Sequence, residues 1–285
     1  MDALYHYCSN DVFVSIVHTR SIWLSSLSLS NDTMEGRLVN GALVRLAERD
    51  GLDAKTRDRL RDNVGLMTGL IDGLGFCLSE EGDLLSQWRG YADDAQGVSI
   101  GFSYQYLEKL ADLYEHTGTS GFTLHKVEYE PDAHEAKVEP TYRELRHSID
   151  TGAFQLKQIK FPSDPRTKLS ERNEKIFNAA LTFIKKTMTL LPYLFELKSP
   201  AFKEEREWRL VSVLLRDLAD DCLHRPVRNR ILPYRSFELL SCGIQAIMEV
   251  ILGPKHETPT KVVESMLRQA GFGTVKVRRS EVTYR

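Results

Sequence analysis

The stretch that decides the fold is FKEEREWRLVSVL, residues 202–214, in which alternating charged residues give way to an apolar run. Read as a β-strand with a period of two, this stretch places three charged side chains on one face, those of Glu205, Glu207 and Arg209, and Trp208 on the other. Two carboxylates and a guanidinium aligned on a rigid strand would suit a substrate cleft. The apolar residues that follow would anchor the strand in a core.

Two structural alternatives explain the same charged residues without a substrate-binding site. Charged residues on one face of an edge strand keep that edge soluble. A surface helix with local ion pairs could also carry Lys203 to Arg209. Spacing alone leaves these alternatives open.

The composition is that of an ordinary soluble globular protein. The chain has 285 residues, of which 42% are hydrophobic and 27% are charged, so it can bury a large core as one domain or two smaller ones. The formal net charge is -2, which excludes a global basic field directed at nucleic acid or anionic lipid. A local basic patch remains open.

The cysteines and the apolar segments indicate a cytoplasmic location. The cysteines are far apart and form no C-x-x-C pair: Cys8, Cys77, Cys222 and Cys242. We expect reduced thiols in a cytosolic protein, with no metal site. No cleavable leader opens the sequence, and the longest apolar segment, residues 177–197, is interrupted by two lysines and Pro192. We therefore expect no association with a membrane.

Short strands and grouped helices follow one another along the chain. The pattern predicts strands over residues 3–8, 21–25, 74–79, 96–102, 121–129, 202–214, 250–254 and 275–278. Helices are predicted over 12–17 after a cap at 9–11, over 35–46 after a cap at Asp32 or Thr33, and over 84–92, 104–114 and 258–271. From about 131 to 200, charged helical patterns replace the strand signals. The sequence thus predicts an α+β fold in a single domain, 1–285, with a core formed by 1–130 and 201–285 and a helical insertion between them.

Familiar nucleotide-binding motifs are absent from the sequence, so single residues must carry any functional hypothesis. Neither G-x-G-x-x-G nor a P-loop occurs. His6 in a strand is either packed in a core or part of a site. Trp88 and Tyr91 lie three apart and would share a helix face, as core aromatics or as stacking surfaces. Asn31 and Asp32 form a turn or contact a ligand.

Several of these segments together resemble a large bacterial family described as domain-of-unknown-function family 2971. The segments are LYHYCS (4–9), IWLS (22–25), ND (31–32), FCLS (76–79), LSQWRGYA (85–92), GVSIGF (97–102), EREWR (205–209), VILGP (250–254) and the terminal YR. They occur in the family's order over nearly the whole chain, and the resemblance is weakest over 131–200.

This family is similar, remotely, to the ADP-ribosyltransferases, and its members are often linked to phage defence. The resemblance implies a split, mixed β-sheet with NAD as the substrate in the cleft and no metal. Relatives use a histidine on the first strand, an aromatic residue or serine on the second element and a glutamate on a later strand. Here His6, Ser25 and Glu207 fall in that order. Tyr7 stands where relatives have a glycine that contacts nicotinamide.

The resemblance also implies roles for the charged residues. Breaking the nicotinamide–ribose bond develops positive charge on the ribose, and Glu207 would stabilise that charge. Glu205, at the E-x-E spacing of one branch of these enzymes, would orient or deprotonate the nucleophile. Which of the two glutamates is catalytic stays open. Arg209 would pair with a pyrophosphate oxygen or neutralise the glutamates.

The remaining candidates would bind the nucleotide. His6 would hydrogen-bond a ribose or a phosphate, assisted by Ser9 or Ser25. A ring would stack on Trp23, Trp88 or Tyr91.

Three classes of function follow. The first is an NAD-dependent ADP-ribosyltransferase or NAD-consuming effector that modifies a protein or nucleic acid, in phage defence or as a toxin with a neutralising partner. The second is a catalytically inert module that binds a nucleotide. The third is a nucleic-acid-binding or nucleic-acid-modifying protein with basic patches at 225–230 and 276–279.

Overall fold

The computed structural model describes residues 2–29, 37–116, 121–159, 169–215, 222–227 and 229–284. The chain forms two compact units. The sheet unit comprises Met1–Asn31, Asp72–Val127 and Ala201–Arg285, and the helical unit comprises Asp32–Ile71 and Glu128–Pro200. The single-domain description of the chain stays a prediction.

The strands of the described residues number ten. They are β1 (Ala3–Cys8), β2 (Ser21–Ser26), β3 (Ile71–Ser79), β4 (Val98–Ser103), β5 (Thr123–Lys126), β6 (Glu207–Leu215), β7 (Leu223–Val227), β8 (Arg230–Glu238), β9 (Ile247–Leu252) and β10 (Lys276–Arg279).

Nine α-helices accompany these strands in the described part of the chain. They are α1 (Asn10–Thr19), α2 (Leu38–Arg49), α3 (Ala54–Gly69), α4 (Leu85–Tyr91), α5 (Tyr104–His116), α6 (Pro131–Asp150), α7 (Glu171–Met188), α8 (Tyr193–Glu196) and α9 (Thr260–Gln269). Among these residues, no helix is both long enough and apolar enough to cross a membrane.

The strands form one open, mixed sheet. Its order is β10-β9-β4-β1-β3-β2-β8-β7, and β6 pairs with both β3 and β5. β9 and β10 are parallel, whereas β1 and β4, β2 and β8, and β7 and β8 are antiparallel. A mixed sheet combined with helices confirms the expected mixture of α and β structure. The narrower ADP-ribosyltransferase type stays a prediction.

Alternation along the strands places the main core on one face of the sheet. Alternate residues of the central strands are buried there, as in Leu74, Phe76 and Leu78 of β3. Helices α1, α5 and α9 supply the helical side chains. Leu210 and Leu214 belong to this core, and Trp208 packs against it. Because Glu207 and Arg209 alternate with these residues, they point to the opposite face, as the period of two predicted.

The helical unit has its own arrangement of helices. It contains α2, α3, α6, α7 and α8, so it combines the segment predicted as an insertion with residues 32–71. Helix α7 begins at a cap in which the Ser170 hydroxyl accepts a hydrogen bond from the Asn173 amide. The hydroxyl of Tyr142 on α6 donates to Asp50 at the end of α2, at 3.0 Å. Helix α3 was missed by the sequence patterns.

The predicted start of the central strand was wrong. Residues Pro200–Glu205 form a 3₁₀ helix, and β6 begins only at Glu207. Between them Arg206 has a φ of 43°, a left-handed conformation that extended chain does not adopt. Glu205 therefore does not share a strand face with Glu207 and Arg209, which corrects the expected alignment of the two carboxylates.

Strands β7 and β8 were also missed. Both contain a proline within the strand, Pro226 in β7 and Pro233 in β8, and β7 lies at the edge of the sheet. Proline cannot donate to a strand ladder, so it weakens the sequence signal and is tolerated mainly at edges.

Two glycines allow the turn before β4 to approach the ends of β1 and β9 closely. A Cβ atom on Gly97 would lie 2.1 Å from the carbonyl oxygen of Cys8, and one on Gly253 would lie 2.3 Å from that of Ala95. We expect Gly97→Ala and Gly253→Ala each to lower the free energy of unfolding in urea by about 3 kcal/mol, because backbone must shift. Gly90→Ala is the control, since a Cβ there meets nothing within 4 Å. Equal unfolding midpoints for all three variants would contradict this reading.

Candidate functional site

Strand β3 positions the strands that carry the main candidates. Ser25 of β2 lies opposite Gly75, and Tyr5 of β1 lies opposite Ser79. Strand β6 also pairs with β3, and just before β6 the Ser79 hydroxyl donates to the carbonyl oxygen of Glu205 at 2.7 Å. The backbone of β3 thus links the neighbourhoods of His6, Ser25 and Glu207.

His6 is held as a neutral imidazole in one tautomer. Its Nδ1 lies 2.8 Å from the carbonyl oxygen of Cys77, and because a carbonyl only accepts, Nδ1 carries the hydrogen and Nε2 has a lone pair. The ring stacks on Phe76 at 3.9 Å. Burial lowers the pKa of His6 from 6.5 to about 4; the positive charge of Arg225 lowers it further, against the opposing effect of the bond to Cys77. His6 can therefore accept a hydrogen bond through Nε2 near neutral pH.

An arginine on β7 joins two of the candidates. Arg225 donates from Nη2 to the Ser25 hydroxyl at 2.9 Å, and its guanidinium lies 5.4 Å from the centre of the Trp23 ring. Trp23 in turn contacts Tyr234 of β8, with ring centres 5.1 Å apart. We call Arg225, Ser25, Trp23 and Tyr234 the Arg225 cluster.

Glu207 and Arg209 form a buried bidentate ion pair. Arg209 donates from Nε and Nη2 to the two carboxylate oxygens of Glu207, at 2.8 and 3.0 Å. Glu207 is 5% exposed and Arg209 is 2% exposed. The ion pair holds the Glu207 carboxylate in one orientation. It also means that Arg209 neutralises a glutamate, which is one of the two roles expected for this residue. A phosphate contact of Arg209 stays a prediction.

Glu205 lies in a more open setting. It is partly buried, and the exposed Tyr91 donates its hydroxyl to Oε1 at 3.1 Å. The adjacent Arg206 forms an ion pair with Glu81. Tyr91 is thus on the same surface as one predicted catalytic glutamate, while its predicted stacking on a ligand ring remains a prediction.

Glu80 is a further carboxylate beside β6. It accepts hydrogen bonds from Lys126 at 2.6 Å and from the indole of Trp208 at 2.9 Å. Burial opposes ionisation of this group, but these two bonds and the positive charges of Lys126 and Arg206 together outweigh that effect and lower its pKa. Glu80 therefore stays ionised and holds the start of β6.

Tyr7 and Trp88 lie inside the protein, on the face of the sheet opposite the main core. Their rings meet edge to face, 4.9 Å apart. Tyr7 donates to the carbonyl oxygen of Glu81, and Trp88 is fully buried with its indole N–H on Asp83. This burial agrees with the core alternative for Trp88. Burial also raises the pKa of the Tyr7 hydroxyl.

The other predicted binding residues have separate positions. The Ser9 hydroxyl caps helix α1 by accepting from the Val12 amide. Asn31 and Asp32 lie outside the described residues. Within the described residues, no three or more His, Cys, Asp or Glu side chains are grouped to hold a metal ion.

One comparison with known families gives a match. Residues 87–210 match the family model described as "Protein of unknown function (DUF2971)". The matched region contains Trp88, Tyr91, Glu205, Glu207 and Arg209, and it supports the expected family over less than half of the chain. It also includes residues 131–200, where the resemblance was expected to be weakest. No curated protein and no solved structure matches the chain.

The DUF2971 match ends before Arg225, and sequence reasoning also missed the role of Arg225 in the cluster. It assigned this residue to a solvent-exposed basic patch over 225–230 because the strand signal of β7 was hidden by Pro226. In the structure Arg225 is partly buried, and Arg230 donates to the carbonyl oxygen of Leu29. Leu223, Arg225 and Val227 recur at every second position, and this period of two was the sequence signal that could have predicted β7.

The lowered pKa of His6 makes stability depend on pH. The unfolded chain takes up the proton near pH 6.5 and the folded protein only near 4, so stability is lost as the pH falls through this window. We expect His6→Asn, whose amide can still donate to Cys77, to reduce the loss of unfolding free energy between pH 7 and pH 5 by about 2 kcal/mol. Urea unfolding at both pH values measures this difference. Identical pH dependence in both proteins would show that His6 titrates normally.

Proposed function

We propose that this protein is an NAD-consuming enzyme of the ADP-ribosyltransferase type that acts on a protein or nucleic-acid acceptor. The observation that carries the proposal is the joint anchoring on β3 of the strands bearing His6, Ser25 and Glu207. These are the residues, in chain order, that the resemblance implies. The same resemblance suggests a role as a toxin or an effector of phage defence.

The state of His6 fits the recognition of ribose. A neutral imidazole with a fixed Nδ1–H offers Nε2 as an acceptor for a ribose hydroxyl. An imidazolium would offer only donors. The lowered pKa keeps His6 in the accepting form over the physiological range.

Glu207 would act through its fixed negative charge. As the nicotinamide–ribose bond breaks, the ribose gains positive charge, and an oriented carboxylate stabilises that state more than the ground state. The bidentate bonds from Arg209 hold the carboxylate in place before the reaction. Glu205, with its more open setting, would then orient the nucleophile.

Nicotinamide release from NAD, measured in buffer and in cell lysate, tests the proposal. We expect the Glu207→Gln variant to release nicotinamide at least about 100-fold more slowly than the wild type, because a charge that stabilises the transition state is removed. Labelled products in the lysate would identify the acceptor. An unchanged rate in this variant would contradict the role of Glu207.

Two further variants separate catalysis from folding. Glu207→Gln leaves Arg209 without its counter-charge in a buried position, which destabilises the fold. The double variant Glu207→Gln/Arg209→Met removes both charges, and it should melt close to the wild type while remaining inactive. Glu205→Gln is the matched control for a nearby glutamate, and its rate decides whether Glu205 takes part.

A second candidate is a nucleotide-binding module without turnover. The observation that favours it is the ion pair itself, because Arg209 occupies both carboxylate oxygens of a glutamate that is only 5% exposed. This module would be stabilised against heat by NAD or ADP-ribose with no release of nicotinamide.

A further inference from the structure

Arg225 carries a positive charge that no carboxylate of the described residues neutralises. Within the described part of the chain, no carboxylate forms an ion pair with it, and its side-chain hydrogen bond goes to the neutral Ser25 hydroxyl. Its Nε is shielded from solvent and has no hydrogen-bond partner among the residues that the structure describes. Two other arginines of the sheet unit face carboxylates: Arg209 pairs with Glu207, and Arg278 pairs with Glu249.

This arrangement is unfavourable unless an anion completes it. Burying a charge costs free energy that is recovered only when the charge is paired. Burial already lowers the pKa of Arg225 from its ordinary value. The side chain is only partly buried, so an anion can reach the guanidinium from solvent.

The groups around Arg225 form a set of donors. The Ser25 hydroxyl accepts from Arg225, so its own hydrogen remains available to donate to a ligand. Guanidinium and hydroxyl donors together suit phosphate oxygens. Arg225 is close enough to His6 for its charge to lower the pKa of that residue. Nε2 of His6 is an acceptor, which suits a hydroxyl of the same ligand and not its anion.

The aromatic residues indicate what accompanies the anion. Trp23 is partly exposed, with Arg225 against its ring and Tyr234 beside it. Flat rings next to a guanidinium can stack on a base or hold the face of a sugar.

We propose that the Arg225 cluster is a phosphate-binding subsite, in which Arg225 and Ser25 hold a phosphate of a nucleotide. The identification of the ligand as a nucleotide rests on the proposed function. The inference that an anion binds here rests on the environment of Arg225 alone. The ligand is therefore a nucleoside diphosphate or dinucleotide, and an unphosphorylated nucleoside lacks the group that Arg225 recognises.

Titration calorimetry with ADP, AMP and adenosine tests this subsite in the full-length protein. We expect ADP to bind at least ten-fold more tightly than adenosine, with AMP between them. Arg225→Gln should reduce the affinity for ADP at least ten-fold and leave the affinity for adenosine unchanged.

Two control variants separate loss of the subsite from loss of folding. Arg225→Lys keeps the charge but loses the planar guanidinium, so it should recover part of the affinity for ADP, which would show that the loss in Arg225→Gln is not caused by unfolding. Arg230→Gln, in the neighbouring strand, should bind ADP like the wild type.

Four outcomes would overturn the subsite: equal binding of ADP and adenosine, wild-type ADP affinity in Arg225→Gln, no binding of any nucleotide, or binding only of a single-stranded oligonucleotide. The test also separates the two proposals. ADP binding that requires Arg225 in a protein that releases no nicotinamide refutes the enzyme and keeps the subsite. Nicotinamide release with an unchanged KM for NAD in Arg225→Gln refutes the subsite and keeps the enzyme.

Discussion

The backbone hydrogen bonding of β3 is the constraint on which the candidate site depends. A strand has two edges, and β3 uses them to hold β1, β2 and β6, three strands that are distant in sequence. The pairing of β2 with β3 fixes Ser25 opposite Gly75. The pairing of β1 with β3 fixes Tyr5, the neighbour of His6, opposite Ser79. Because residues along a strand rise by about 3.3 Å each, Gly75 and Ser79 lie about 13 Å apart along β3, which separates the neighbourhoods of Ser25 and His6 by a similar distance along this strand.

Two arginines in the sheet unit meet opposite electrostatic conditions. Arg209 is almost completely buried and is neutralised by Glu207 through two hydrogen bonds. Arg225 is less buried, yet it has a hydroxyl where a carboxylate would be expected. Under the proposed function, the ion pair of Arg209 orients Glu207, whereas Arg225, which has no ion pair within the described residues, attracts the ligand. The proposed chemistry uses both, with the phosphate held by one arginine and the reacting ribose placed near the glutamate of the other.

Local patterns in the sequence predicted the elements that build the core, and tertiary contacts account for what they missed. β1 and β2 were placed to within one residue, because each is a short run of apolar and aromatic residues bounded by polar residues. The conformation of Arg206 was not predictable, since it depends on hydrogen bonds such as that from the Glu80 amide to its carbonyl oxygen. The Arg225 cluster was equally hidden, because Ser25 and Arg225 meet only through the pairing of β2, β8 and β7.

The most direct test is a crystal structure of the wild-type protein with ADP-ribose bound. The account predicts a phosphate of the ligand within hydrogen-bond distance of Arg225 and Ser25, and a ribose hydroxyl on Nε2 of His6. The terminal ribose should approach the carboxylate of Glu207. A ligand bound elsewhere, with Arg225 still bonded to Ser25 alone, would contradict the account.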